Sequence, residues 1–83
     1  MNWYLYIVRC KDNSLYTGIT IDIERRVNEH NIGAGAKSLR GKRPVKLVYF
    51  EPCVSESEAR KRESAIKSWK REYKLKLIER GLP

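Results

Sequence analysis

Eighty-three residues, 41% of them hydrophobic and including two Trp, five Tyr and one Phe, suffice for one packed domain over 1–83 and leave no room for a second. Eighteen Lys plus Arg against ten Asp plus Glu give a net charge of +8, which favours a polyanionic partner because each phosphate neutralised releases counterions. No stretch approaches the roughly 18 apolar residues of a membrane span, so no membrane partner is expected.

The N-terminus, Met1-Asn2-Trp3-Tyr4, lacks the basic and apolar regions of a signal peptide, so a cytoplasmic location is expected. Cys10 and Cys53 are then reduced; two isolated cysteines fit no zinc pattern and read as small core residues.

Residues 3–10 are aromatic and β-branched on both alternating faces, which predicts a strand buried on two sides and central in its sheet. Lys11-Asp12-Asn13-Ser14 reads as a turn, and residues 15–19 as the returning strand of a hairpin. A three-residue loop Asp12-Asn13-Ser14 would pair Lys11 with Leu15 and place Tyr6 and Tyr16 on one face, the face expected to carry Arg26 and Glu63. Gly18 leaves room for a bulge or for the close approach of another group.

Thr20 or Asp22 can cap a helix running to about His30, with Ile23 and Val27 on its buried stripe. Gly33 and Gly35 end it. Residues 32–44 hold three glycines, one proline and no acid, and read as a loop. A third strand is predicted over 45–50. Ser55-Glu56-Ser57-Glu58 forms a capping box with Val54 and Ala59 placed as a hydrophobic staple, opening a helix to about Arg71. A short last helix around Tyr73, Leu75, Leu77 and Ile78 stops at Gly81. The order β-β-α-β-α-α predicts an α+β fold: a three-stranded antiparallel sheet flanked by helices.

Several residues exceed a purely structural reading. Ala59, Glu63, Ile66 and Tyr73 recur at helical spacing, and a carboxylate in that stripe is costly unless paired or bound to a cation. It is either a structural ion pair with an arginine or a ligand for Mg²⁺, which takes one or two protein carboxylates beside phosphate and water. Arg26 and His30 project on one side of the first helix. Either is equally readable as ordinary, Arg26 as a surface arginine and His30 as a partial cation at a helix C-terminus. Tyr6 and Tyr16 alone read as strand core residues. Lys37, Arg40, Lys42 and Arg43 bring four positive charges to the loop, and Arg60–Lys76 brings eight basic residues against two acidic. Two such clusters around Glu63 suit a polyanion lying across the site.

These residues together resemble the GIY-YIG endonucleases, particularly the small standalone bacterial members. Tyr4-Leu5-Tyr6 stands in the place of the first triplet and Tyr16-Thr17-Gly18 in that of the second. Glu24 to His30 is similar to the family's helix with an arginine followed four residues later by a histidine, and Arg62 to Lys67 to the helix bearing its metal-binding glutamate. The likeness covers residues 3 to about 78. The first triplet lacks its glycine, the second has Thr at its centre, and no Asn follows Glu63. The resemblance implies phosphodiester hydrolysis with one Mg²⁺ or Mn²⁺, on DNA in preference to RNA. Tyr6 would be the general base, Arg26 would stabilise the phosphate, and Glu63 would hold the metal. Tyr16 and His30 would orient water, phosphate or Tyr6, and Lys67 would touch a phosphate. A non-catalytic nucleic-acid-binding module on the same fold is the alternative.

Overall fold

The apolar run at the N-terminus forms β1 (Trp3–Arg9) and the strand after it β2 (Leu15–Thr20); both belong to an antiparallel sheet with β3 (Lys46–Cys53), in the order β2-β1-β3. The computed structural model describes residues 2–81. β1 is central, as its two-sided apolar character requires: Leu5, Tyr6, Ile7 and Val8 are all buried. β3 runs three residues beyond the expected Phe50. Val48 is the extra residue of an irregularity opposite Ile7 and Val8.

The hairpin register differs from the expected one. Arg9, not Lys11, stands opposite Leu15, and residues 10–14 make the connection. The Asn13 N–H donates to the Cys10 carbonyl at 2.9 Å, the Cys10 N–H to the Ser14 carbonyl at 2.8 Å, and Asn13 takes a left-handed φ of 72°. The Asp12 carboxylate accepts from Ser14, so it lies below the usual carboxylate range. The slip spans two residues, so side-chain faces are preserved and Tyr6 and Tyr16 still share one. Gly18 makes no bulge between β1 and β2; it sits directly opposite Tyr6.

Helix α1 (Ile23–Asn31) starts at Asp22, whose carboxylate accepts from the Arg25 N–H at 3.1 Å; Thr20 Oγ1 accepts from the Asp22 N–H instead. A 3-10 helix covers Lys37–Lys42 within the expected loop. Helix α2 (Glu56–Lys67) is capped by Ser55, which accepts from the Glu58 N–H. The staple does not form: Val54 is 82% exposed while Ala59 is fully buried. α2 also ends at Lys67, and α3 (Arg71–Arg80) begins anew, so Tyr73 lies on α3 and not on the α2 stripe.

The sheet separates two apolar clusters. Leu5, Ile7, Tyr49, Cys53, Ala59 and Ile66 fill the side covered by α2 and α3. Tyr6, Val8, Cys10, Leu39 and Val45 fill the side covered by α1 and the 3-10 helix. Cys10 and Cys53 therefore lie in different clusters and are free thiols. Among the described residues no helix is long and apolar enough to cross a membrane.

Candidate active site

Tyr6 points to the α1 side of the sheet with a side-chain-free neighbour across the strand. A Cβ on Gly18 would stand 2.6 Å from the Tyr6 hydroxyl and 2.8 Å from its Cζ, so only glycine lets the ring lie across β2. The hydroxyl then meets His30 Nε2 at 2.8 Å. Both side chains are 1% exposed. Tyr16 closes the group, its ring 6.5 Å from that of Tyr6 and edge-on to His30 at 5.5 Å.

The other ring nitrogen decides the direction of the Tyr6–His30 bond. His30 Nδ1 accepts from the Ala36 backbone N–H at 3.3 Å. A nitrogen that accepts carries no proton, so in the neutral imidazole the proton is on Nε2 and is donated to the Tyr6 oxygen. Protonating His30 would set an N–H against the Ala36 N–H. Burial and the nearby Arg26 guanidinium push the His30 pKa below its ordinary value, with Glu29 opposing. His30 is therefore no partial cation at the helix end, and that expectation is corrected.

The loop after α1 is shaped for this contact. A Cβ on Gly35 would overlap His30 Nδ1 and lie 3.0 Å from its Cα, while the N–H groups of Ala34 and Gly35 both donate to the Glu29 carbonyl. Reading Gly35 as a helix stop missed this. The available signal was the pair of small residues Gly35-Ala36, five and six positions after His30.

Arg26 is half-buried on the same side and pairs with Glu29 at 3.2 Å. Burial pushes the Tyr6 phenol up to about 12, with the Arg26 guanidinium pulling it down and Tyr16 and Glu63 adding to the rise. Glu63 is not carried on the face of Tyr6. Its helix buries Ala59 and Ile66 against the opposite side of the sheet, so Glu63 sits at the edge of that stripe, beside β2. Its partner is Lys67, at 3.1 Å, and not an arginine. The Lys67 ammonium lies 5.9 Å from the centre of the Tyr16 ring, which brings this ion pair round the β2 edge to the tyrosine cluster. Tyr6, Tyr16, Arg26, His30, Glu63 and Lys67 thus meet around one strand.

The basic loop is partly committed to structure. Arg40 Nε donates to the Gly33 carbonyl, Arg43 Nε to the Arg40 carbonyl, and Lys42 reaches Ser14 and Asp12. Lys37 is exposed at its start.

The family model described as the GIY-YIG catalytic domain matches residues 2–76. This chain belongs to the GIY-YIG family. A UPF0213 protein of Haloquadratum walsbyi is 58% identical, over 94% of this chain and 88% of its own length. One of Staphylococcus haemolyticus is 57% identical, over 92% and 93%. The NMR structure of a UPF0213 protein from Bacillus halodurans superimposes with a TM-score of 0.62 at 43% identity, covering 95% of this chain and 84% of that one. A protein of E. faecalis, also solved by NMR, gives 0.65 at 41% identity with the same coverage. GIY-YIG proteins form a family of nucleases that act on nucleic acid and generally depend on a divalent metal. Among the described residues no three His, Cys, Asp or Glu side chains gather as a metal cage. The carboxylates nearest the cluster are Glu29, paired with Arg26, and Glu63, paired with Lys67; a site built on one of them would have a single protein carboxylate. That suits Mg²⁺, which keeps most of its waters and shares substrate phosphate, better than a cation needing an all-protein shell.

Proposed function

We propose that this chain is an endonuclease that hydrolyses phosphodiester bonds in DNA, in preference to RNA, with Mg²⁺ or Mn²⁺ held at Glu63. The observation that carries this reading is the buried Tyr6–His30 pair, flanked by Arg26 and reached by Glu63 and Lys67. An apolar pair would pack in that core without the desolvation cost.

The roles follow from the chemistry of each group. Arg26 presents a charged fork to a phosphate and stabilises the charge that builds there in the transition state. Tyr6 is the base toward the attacking water. In the free protein its phenol, at about 12, is protonated at neutral pH. His30 Nε2–H and Arg26 both favour the phenolate, and His30 cannot take the Tyr6 proton because its Nδ1 is occupied by Ala36 and its Nε2 already bears a hydrogen. The phenol therefore loses its proton to solvent first, and the phenolate then accepts one from the attacking water. Tyr16 packs edge-on to His30 and holds the imidazole in place. Lys67 neutralises Glu63; with a cation held there instead, its ammonium would be free to meet a phosphate. A bound dication would supply positive charge and Lewis-acid polarisation of the phosphate. The charges of Lys37, Arg40, Lys42 and Arg43 hold the flanking backbone. Two free buried thiols accord with a reducing, cytoplasmic setting.

Cleavage of single-stranded, duplex and branched DNA, and of matching RNA, with Mg²⁺ or Mn²⁺ tests the proposal. The wild type should cut DNA, and Glu63→Gln should lose cutting while keeping its circular dichroism spectrum. A Glu63→Gln protein that cuts as well as the wild type overturns the metal assignment. The Lys67–Glu63 pair favours one second reading, a binding module whose carboxylate is permanently neutralised. That reading predicts binding without cleavage under every metal condition.

A further inference from the structure

One flank of α3, beside its contact with the core, carries a pattern that nuclease chemistry does not use. Tyr73, Lys76, Leu77 and Arg80 follow one another at spacings of three, one and three, so they form one stripe along the helix. With Trp69, from the connection between α2 and α3, and Glu79 they line an open groove of about 850 Å³. Tyr73 is 52% exposed. Lys76 Nζ is 5.5 Å from the Tyr73 ring centre; Arg62, its charge already paired with Glu51, has its Cζ 5.4 Å from that of Trp69. Lys70, Arg71 and Lys74 add positive charge on the adjoining turns, against Glu72 and Glu79.

We propose that this groove binds unpaired nucleotides. Aromatic faces interleaved with cations match a single strand, whose bases are free to stack and whose phosphates need neutralising. A duplex hides its base faces and gains only the charge. An acidic peptide would use the cations but leave the rings unstacked. The groove rests on the nucleic-acid reading above and lies on the side of the sheet opposite Tyr6. α3 packs through Leu77 and Ile78 on the sheet side opposite Tyr6. A strand engaged at both must pass round the sheet, which in a molecule 30 × 30 × 20 Å lies within the roughly 4–16 nucleotides of single-strand sites. The fitting substrate then has a single-stranded arm beside the bond that is cut.

The test is fluorescence anisotropy of a labelled oligothymidylate and a labelled duplex, in EDTA so that nothing is cleaved. Tyr73→Ala should weaken oligothymidylate binding by about 10-fold, the loss of one stacked base, and leave duplex binding within about 2-fold. Tyr73→Phe, which keeps the ring, should bind as the wild type does. Tyr73 is half exposed, so both variants should melt at the wild-type temperature. Equal oligothymidylate affinity in wild type and Tyr73→Ala overturns the groove while the nucleic-acid reading stands. Loss of binding in Tyr73→Phe also overturns it, since stacking is then not the cause. A wild type that binds neither oligothymidylate nor duplex at low salt overturns both. A wild-type dimer that Tyr73→Ala separates would assign the groove to a second copy of this chain and overturn the proposal.

Discussion

Tyr6 and Tyr49 lie on neighbouring strands and on opposite faces of the sheet, and burial raises both phenols to about 12. Their surroundings differ in one respect. The Tyr49 hydroxyl donates to Glu51 at 2.6 Å, Arg62 forks that same carboxylate at 3.0 and 3.2 Å, and Arg62 also covers Trp69. Every polar group there has a partner of opposite kind, and the circuit ties β3 to α2. Tyr6 instead accepts from His30, so its own proton is left over, and Arg26 adds a second donor beside an oxygen that already has one. A raised pKa marks both places and distinguishes neither. Of the two phenols only Tyr6 has an uncommitted proton, and it is there that an incoming anion or water has something to complete; the other face holds one unpartnered buried hydroxyl, Thr17 Oγ1.

Substitutions on the two faces should therefore separate stability from chemistry. The largest effect on stability is expected from Ile66→Ala, which empties a fully buried site on the Tyr49 side. It should cost about 2–5 kcal/mol by urea unfolding, with cleavage per folded molecule unchanged. Gly35→Ala should cost less, about 1–3 kcal/mol, because the loop can yield around the new Cβ. Its cleavage should nevertheless disappear, since the methyl displaces His30 from Ala36 and from Tyr6. If the activity of Gly35→Ala simply follows its folded fraction, as for Ile66→Ala, the distinction between the faces collapses.

The element order was legible because each element carries its own local signal: two-sided apolar character in β1, Asp22 and Ser55 as caps, Gly81 as a stop. What failed depended on distance. The hairpin loop kept three residues but moved one position, to Lys11-Asp12-Asn13, because Asn13 supplied the left-handed residue while Cys10 paired with Ser14. Helix periodicity ran Glu63 into Tyr73 because nothing in Ser68-Trp69-Lys70 resembles a strong breaker. That Arg26 and His30 share a side was foreseeable from spacing, and their meeting with Tyr6 from the family resemblance. The route of Glu63 round the β2 edge and the pressure of Gly35 on His30 were not, since both depend on how elements pack rather than on what each one is. Gly18 was the exception: a missing side chain within a strand is a local signal, and of the bulge or close approach it allowed, the approach is what is found, made by Tyr6.

The finest distinction between the two tyrosines rests on one proton, and the only histidine of the chain makes it measurable. His30 is surrounded by Tyr6 from β1, Tyr16 from β2, Arg26 and Glu29 from its own helix, and the Ala36 N–H. Its folded pKa lies below the ordinary value of about 6.5, so on acidification the unfolded chain takes up the proton first. The stability that the neutral ring provides is complete above about pH 6.5 and is lost as pH falls from there toward the folded pKa. Urea unfolding of the wild type should show stability declining between about pH 7 and pH 5, and His30→Gln should flatten that slope whatever its absolute stability. The same ring reports its tautomer directly. Nitrogen-15 NMR of labelled histidine near neutral pH should show Nδ1 bare and Nε2 protonated. The opposite tautomer would make Tyr6 the donor, with its proton committed to His30 as that of Tyr49 is to Glu51. Both phenols would then have committed protons, and the chemical asymmetry between the two tyrosines would be gone.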